Sequence, residues 1–126
     1  MRIKLFCLFL CLLPFFVSSQ TTPQQGKATF YANAHSGHRT TSGERYNPKE
    51  MTAAHATLPL QSYVQVHHLE NGRSVVVRIN DRMSRKSRYI IDLSRKAAQQ
   101  LGIIGAGMGK VKLVPLEKEA ALALMK

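Results

Sequence analysis

The 126-residue sequence predicts a mainly β fold, a small closed barrel with inserted loops. Short β-branched or aromatic runs recur at 26–31, 63–69, 75–79, 89–91 and 111–114, bounded by Gly, Asn and Pro. Two of these runs meet across Asn71-Gly72, a strong hairpin signal. The one internal helical pattern, at 92–102, is too little to cover the two faces of a wound α/β sheet.

Residues 1–19 stand apart from this fold. Arg2 and Lys4 precede an apolar stretch, Leu5 to Val17, and Val17-Ser18-Ser19 supplies the small residues of a signal-peptidase site. The apolar part falls short of the roughly 20 residues that span a bilayer, so export and release are expected, with no stable membrane insertion. Cys7 and Cys11 both lie inside it, and a mature chain beginning near Gln20 would carry no disulfide, thiolate metal site or cysteine nucleophile. Leu8-Phe9-Leu10 lacks the small residues expected before a lipidated cysteine, so anchoring through Cys11 is not expected.

The remaining 107 residues make one small domain, and without Arg2 and Lys4 its 16 basic and 7 acidic side chains leave a formal charge of +9. An exported protein so charged meets anionic partners, wall polymer or lipid, although charge for solubility alone reads equally well. No arginine-rich helix or aromatic-interleaved basic motif points to nucleic acid.

Residues 20–25 read as a flexible leader and 26–31 as the first strand. Residues 32–50 form a long loop in which Gly43 allows a tight turn presenting Glu44, or simply a solvated carboxylate. His35 and His38 stand three apart with no third ligand and read as surface residues; no metal or cofactor is expected. His55 sits among small residues before Pro59 and needs a partner to acquire a role. His67 and His68 point to opposite faces of their strand. The run Val75, Val76, Val77 and Ile79 reads as a buried strand, with Val75, Val77 and Ile79 on one face, and it ends in Asn80-Asp81-Arg82. On the residues alone Asp81 is either a turn cap or an acid whose partial desolvation favours the protonated form. Arg82 to Arg88 is a basic loop, Asp92 or Ser94 caps the helix that Gly102 closes, 105–109 is a flexible turn, and 117–126 is a short helical tail.

GKATFYA, TSGERYNPKEMTAAHATLPL, YVQVHHLENGRSVVVRINDR and IIDLSRKAAQQLGIIGAGMGKVKLVPL occur in this order, and together they resemble the RlpA-like (rare lipoprotein A) double-psi β-barrel family along nearly the whole mature chain, 26–116. The resemblance implies a six-stranded double-psi β-barrel with one short helix and a short C-terminal helix. It also implies an endolytic lytic transglycosylase that cleaves peptidoglycan glycan strands lacking stem peptides and leaves 1,6-anhydro ends. Carried over residue by residue, it makes Asp81 the essential acid, with His55 and Glu44 supporting it, and Tyr31, Thr41 and Arg82 as glycan-binding residues. The implied protein is a cofactor-free monomer of the periplasm or cell envelope.

The chain departs from the family pattern where Met83-Ser84 replaces the usual Gly-Pro after NDR, and where Ala32 replaces the Gly that commonly follows Tyr31. Both changes sit beside the implied acid, so a non-catalytic, expansin-like glycan-binding protein is the alternative. A C-terminal peptidoglycan-binding SPOR repeat has no counterpart in the sequence, and septal targeting by that route is not expected.

Overall fold

A computed structural model describes residues 22–126. The expected signal segment, with Cys7 and Cys11, lies outside the described residues. Six strands close into a barrel: β1 (Gln24–Phe30), β2 (Thr52–Ala54), β3 (Tyr63–His68), β4 (Ser74–Asp81), β5 (Ile91–Leu93) and β6 (Gly109–Leu116), in the spatial order β1-β5-β2-β4-β3-β6. β1 pairs with β5, and β2 with β4, in parallel; the other four pairings are antiparallel.

Period-two alternation fills the barrel. Val75, Val77 and Ile79 of β4 point inward with Val64, Val66, Ile91, Leu93, Val111 and Leu113, forming one apolar cluster. Val76, on the outer face of β4, is buried as well, and it lines a recess together with Leu124 and Met125 from the end of the chain. That covering segment is α2 (Lys118–Leu124), which packs on β3 and buries Ala121 completely.

Three local readings change. The first strand begins at Gln24, not Gly26, because Gln24 and Gln25 pair with Leu113 and Lys112, so the expected leader is partly strand. Thr52–Ala54, absent from the runs read as strands, is β2, and all three residues are buried between β4 and β5. The N-cap of α1 (Arg95–Leu101) is Ser94, whose Oγ accepts from the Ala97 N–H at 3.2 Å; Asp92 is an interior residue of β5 and not a cap. Gly102 ends the helix in the left-handed region, at φ 87°.

Gly109 opens β6 where no side chain fits. A Cβ there would lie 2.7 Å from Ile103 Cγ2 and 3.0 Å from His68 Nε2. His68 cannot swing aside cheaply, since its Nδ1 accepts from the N–H groups of Glu70 and Asn71 at 3.1 and 3.3 Å and so holds the β3–β4 turn. Gly109→Ala is therefore expected to cost about 1–3 kcal/mol, read as a lower denaturant midpoint at unchanged slope; an unchanged midpoint would mean the turn yields.

Candidate active site

Asp81 stands at the C-terminal end of β4, aimed by an irregularity in the ladder. Ala53 of β2 pairs with Ile79, but Ala54 pairs with Asp81, so Asn80 is passed over. This bulge cancels the alternation that would send Asp81 inward, and puts it on the same outer face as Ala54. Ala54 also pairs with Asp92 on its other side, and Asp92 with Thr29. The outer wall thus carries one transverse row, Thr29, Asp92, Ala54 and Asp81, with two carboxylates flanking a methyl group.

The Asp81 carboxylate is held by four donors. Oδ2 accepts from the Tyr31 hydroxyl; Oδ1 accepts from the N–H and hydroxyl of Thr41, both at 2.8 Å, and from the Arg82 N–H at 2.9 Å. Burial pushes its pKa up, but the bonds from Tyr31, Thr41 and Arg82 outweigh burial and hold it below the ordinary carboxylate value. The expectation that desolvation would keep Asp81 protonated is corrected by this donor set.

Asp92 is the opposite case. Its Oδ1 is buried with no hydrogen-bond partner among the described residues. Burial first, and the negative charge of Asp81 in addition, raise its pKa to about 6 against the lowering influence of His35. Tyr31 and Tyr46 stack beside this row, ring centroids 4.4 Å apart, and His35 meets Tyr31 edge-on at 5.6 Å. Both tyrosines pack with Ala54, and Met83 lies against them. The departure from Gly-Pro therefore places an apolar side chain against the aromatic pair.

Glu44 and His55 are near this row without touching the Asp81 carboxylate. Glu44 accepts from Arg78 at 2.7 Å, Asn80 at 3.1 Å and Gln61 at 3.2 Å; led by the Arg78 bond, these lower its pKa to about 2 despite some burial. Gly43, at φ 94°, makes the expected turn, and the Ser42 N–H bonds the Asn80 carbonyl at 3.1 Å. Glu44 thus clamps to β4 the loop whose Thr41 grips Asp81. The His55 backbone N–H bonds the Asp81 carbonyl at 3.1 Å, but its imidazole faces away. Nδ1 accepts from the N–H groups of Thr57 and Leu58 at 3.0 Å each, which leaves the proton on Nε2 to be donated to Gln24 Oε1 at 3.0 Å. Burial, then Arg82, lower the His55 pKa, so it is neutral at pH 7. Of the residues expected to bind glycan, Tyr31 and Thr41 spend their polar groups on Asp81, and Arg82 donates its guanidinium to the His55 carbonyl at 3.1 Å.

Two recesses lie nearby, and neither Asp81 nor Asp92 lines them. Arg95, whose N–H bonds the Tyr46 hydroxyl at 3.0 Å, joins Asn33, Pro48, Lys49, Lys96 and Gln99 around one of about 590 Å³. His55 and Gln24 line the other, of about 240 Å³, with Ser84, Arg85, Ser87 and Tyr89. Asp92 is the residue that sequence reasoning missed. The available signal was the apolar–acid–apolar order Ile91-Asp92-Leu93, which in a strand sends the two apolar residues inward and the acid outward.

The closed six-stranded order, shared in fold with the solved structures below, is that of a double-psi β-barrel. The chain belongs to the lytic transglycolase family of these barrels, whose model matches residues 23–113. It is 47% identical over 102 residues to the endolytic peptidoglycan transglycosylase RlpA of Pasteurella multocida, covering 79% of this chain and 35% of that one. It is 45% identical over 93 residues to the protein of the same name from Haemophilus influenzae, with coverages of 74% and 32%. The chain thus spans about a third of the length of these relatives. Among solved structures it resembles the Streptomyces papain inhibitor (TM-score 0.62, 23% identity, 76% and 96% of the two chains) and an expansin of Clavibacter michiganensis (0.61, 19%, 77% and 52%), likenesses of fold alone.

Proposed function

We propose that this protein is an endolytic peptidoglycan lytic transglycosylase, which cleaves glycan strands devoid of stem peptides and leaves 1,6-anhydro-N-acetylmuramic acid ends. The observation that carries the reading is the Asp81 carboxylate, anchored by four donors on a rigid strand end within the segment that matches the family. Breaking a glycosidic bond develops positive charge at C1 of the sugar. A fixed, ionised carboxylate stabilises that charge without reorganising, because its donors are already in place. The nucleophile is the sugar's own C6 hydroxyl, held close to C1 by the ring, so no second protein group is needed to activate water.

Tyr31, Thr41 and the Arg82 main chain act as positioning residues for Asp81, and Glu44 and His55 act one step further out. Glu44 fixes the Thr41 loop through Arg78 and Asn80, and His55 fixes the segment after β2 and, through its carbonyl, the Arg82 side chain. The basic wall of Lys49, Arg95 and Lys96 suits a sugar polymer bearing carboxylates. The protein would act in the cell envelope, as a monomer, after export.

Digestion of stem-peptide-free peptidoglycan with mass analysis tests this, since anhydro products lie about 18 Da, one water, below hydrolysed ones. Glu44→Gln and His55→Ala are expected to slow release less than loss of Asp81 does, because each acts through other groups. Release of reducing ends would make the protein a hydrolase, and binding without release would make it a glycan-binding module.

A further inference from the structure

Asp81, with its donor set, serves as a permanent anion, yet departure of the glycosidic oxygen requires a proton. We infer that Asp92 is the proton carrier of the reaction: its carboxyl protonates the glycosidic oxygen as the C1–O bond breaks, and the carboxylate so formed takes the proton of the C6 hydroxyl as that oxygen bonds to C1. The balance closes within one turnover: no water is consumed, Asp92 is protonated again, and Asp81 stays ionised throughout. This rests on the transglycosylase reading above and deepens it.

The geometry that supports it is the transverse row. Asp92 and Asp81 are both paired to Ala54, so they stand two strand spacings apart on the same face, roughly 9–10 Å between backbones. The buried Tyr31 and Tyr46 rings pack over Ala54 between them, so a glycan would cross above those rings with one carboxyl on either side. Every other polar group of the row has a partner: Thr29 donates to the Gly107 carbonyl at 3.3 Å, and Asp81 accepts four bonds. Asp92 Oδ1 alone is buried and unpartnered among the described residues, while the residue as a whole is only partly buried, leaving the other oxygen on the open side. No structural contact accounts for this carboxyl, whereas a group that must hold a proton and surrender it suits such a place. The charged and titratable groups that face it are Asp81 from β4, Tyr31 at the end of β1, His35 from the short 3-10 turn Asn33–His35, and Tyr46 from the following loop. Asp81 opposes its ionisation and His35, when charged, favours it, so its pKa of about 6 lies where donor and acceptor forms interchange near neutrality.

Asp92→Asn tests this in the whole protein. Glycan release should fall by about 10²-fold or more, with binding of the same glycan retained. The turnover of the wild type should decline as pH rises through about 6, as the donor form is lost. At pH 7 the variant should melt higher than the wild type, because it no longer buries a charge; this separates loss of chemistry from loss of fold. Carbon-13 NMR of aspartate carboxyls gives an independent readout, a group titrating near 6 in the wild type and missing in the variant. If Asp92→Asn cleaves with the wild-type pH profile, or no carboxyl titrates near 6, the inference is overturned and the transglycosylase reading survives. If the wild type releases nothing, that reading fails first and the role of Asp92 falls with it.

Discussion

Asp81→Asn should abolish most glycan release, by about 10²–10⁴-fold, the contribution of a positioned charged group at a reacting bond, while the barrel remains folded. The substitution keeps the shape of the side chain, and its carbonyl oxygen can still accept from Thr41 or Tyr31, so the loop that carries Thr41 has reason to stay docked. The charge is removed. A neutral residue at 81 also takes away one of the influences that raise the Asp92 pKa, so whatever activity remains should lose its donor form at lower pH than in the wild type. Glycan binding measured alongside separates the cases: binding kept and release lost is the expected result, whereas both lost would mean that Asp81 is a structural clamp. Release within threefold of the wild type would move the chemistry to other residues.

The barrel was legible in the sequence where hydrophobic periodicity is strong. Val75-Val76-Val77 with Ile79, the Asn71-Gly72 turn and the Gly102 helix stop each combine a local preference with a burial pattern that the closed barrel uses directly. β2 was not legible, because Thr52-Ala53-Ala54 has little β preference of its own and is a strand only because β4 and β5 lie on either side of it. That there are six strands was expected from the resemblance alone, which did not say where the sixth lies.

The site was legible in its members and not in their arrangement. Asp81 could be placed at the end of a buried strand, but its protonation could not, since that depends on Tyr31 and Thr41, which lie 50 and 40 residues away in the chain. Glu44 and His55 pointed to the right neighbourhood, yet the sequence holds no sign that the Glu44 carboxylate meets Arg78 or that the His55 imidazole turns to Gln24. Asp92 was misplaced for a clear local reason. An Asp two residues before a Ser, just ahead of a helical run, competes with that Ser for the capping role, and only the pairing of β5 with β1 and β2 decides between them.

Ile79→Ala should be the most damaging core change, at about 2–5 kcal/mol, out of the 5–15 kcal/mol that is usual for a domain of this kind. Ile79 is fully buried and pairs with Ala53, the small inward residue of β2, so no larger neighbour across that pairing can move into the space. Both of its backbone groups are bonded to the segment just before β3, its N–H to the Ser62 carbonyl at 2.8 Å and its carbonyl from the Gln61 N–H at 2.6 Å, which keeps the strand from collapsing into the cavity. The cost should therefore fall toward the upper part of that range, and Ile79→Val should cost about 0.5–1.5 kcal/mol. Denaturant unfolding reads both, with the midpoint falling and the slope unchanged. Ile79 lies one residue before the bulge that turns Asp81 outward, so cleavage per folded molecule is a second readout. If the cavity stays in the core, folded Ile79→Ala protein should cleave as the wild type does well below its melting temperature; a drop in kcat in fully folded protein would mean that core packing at Ile79 sets the aim of Asp81.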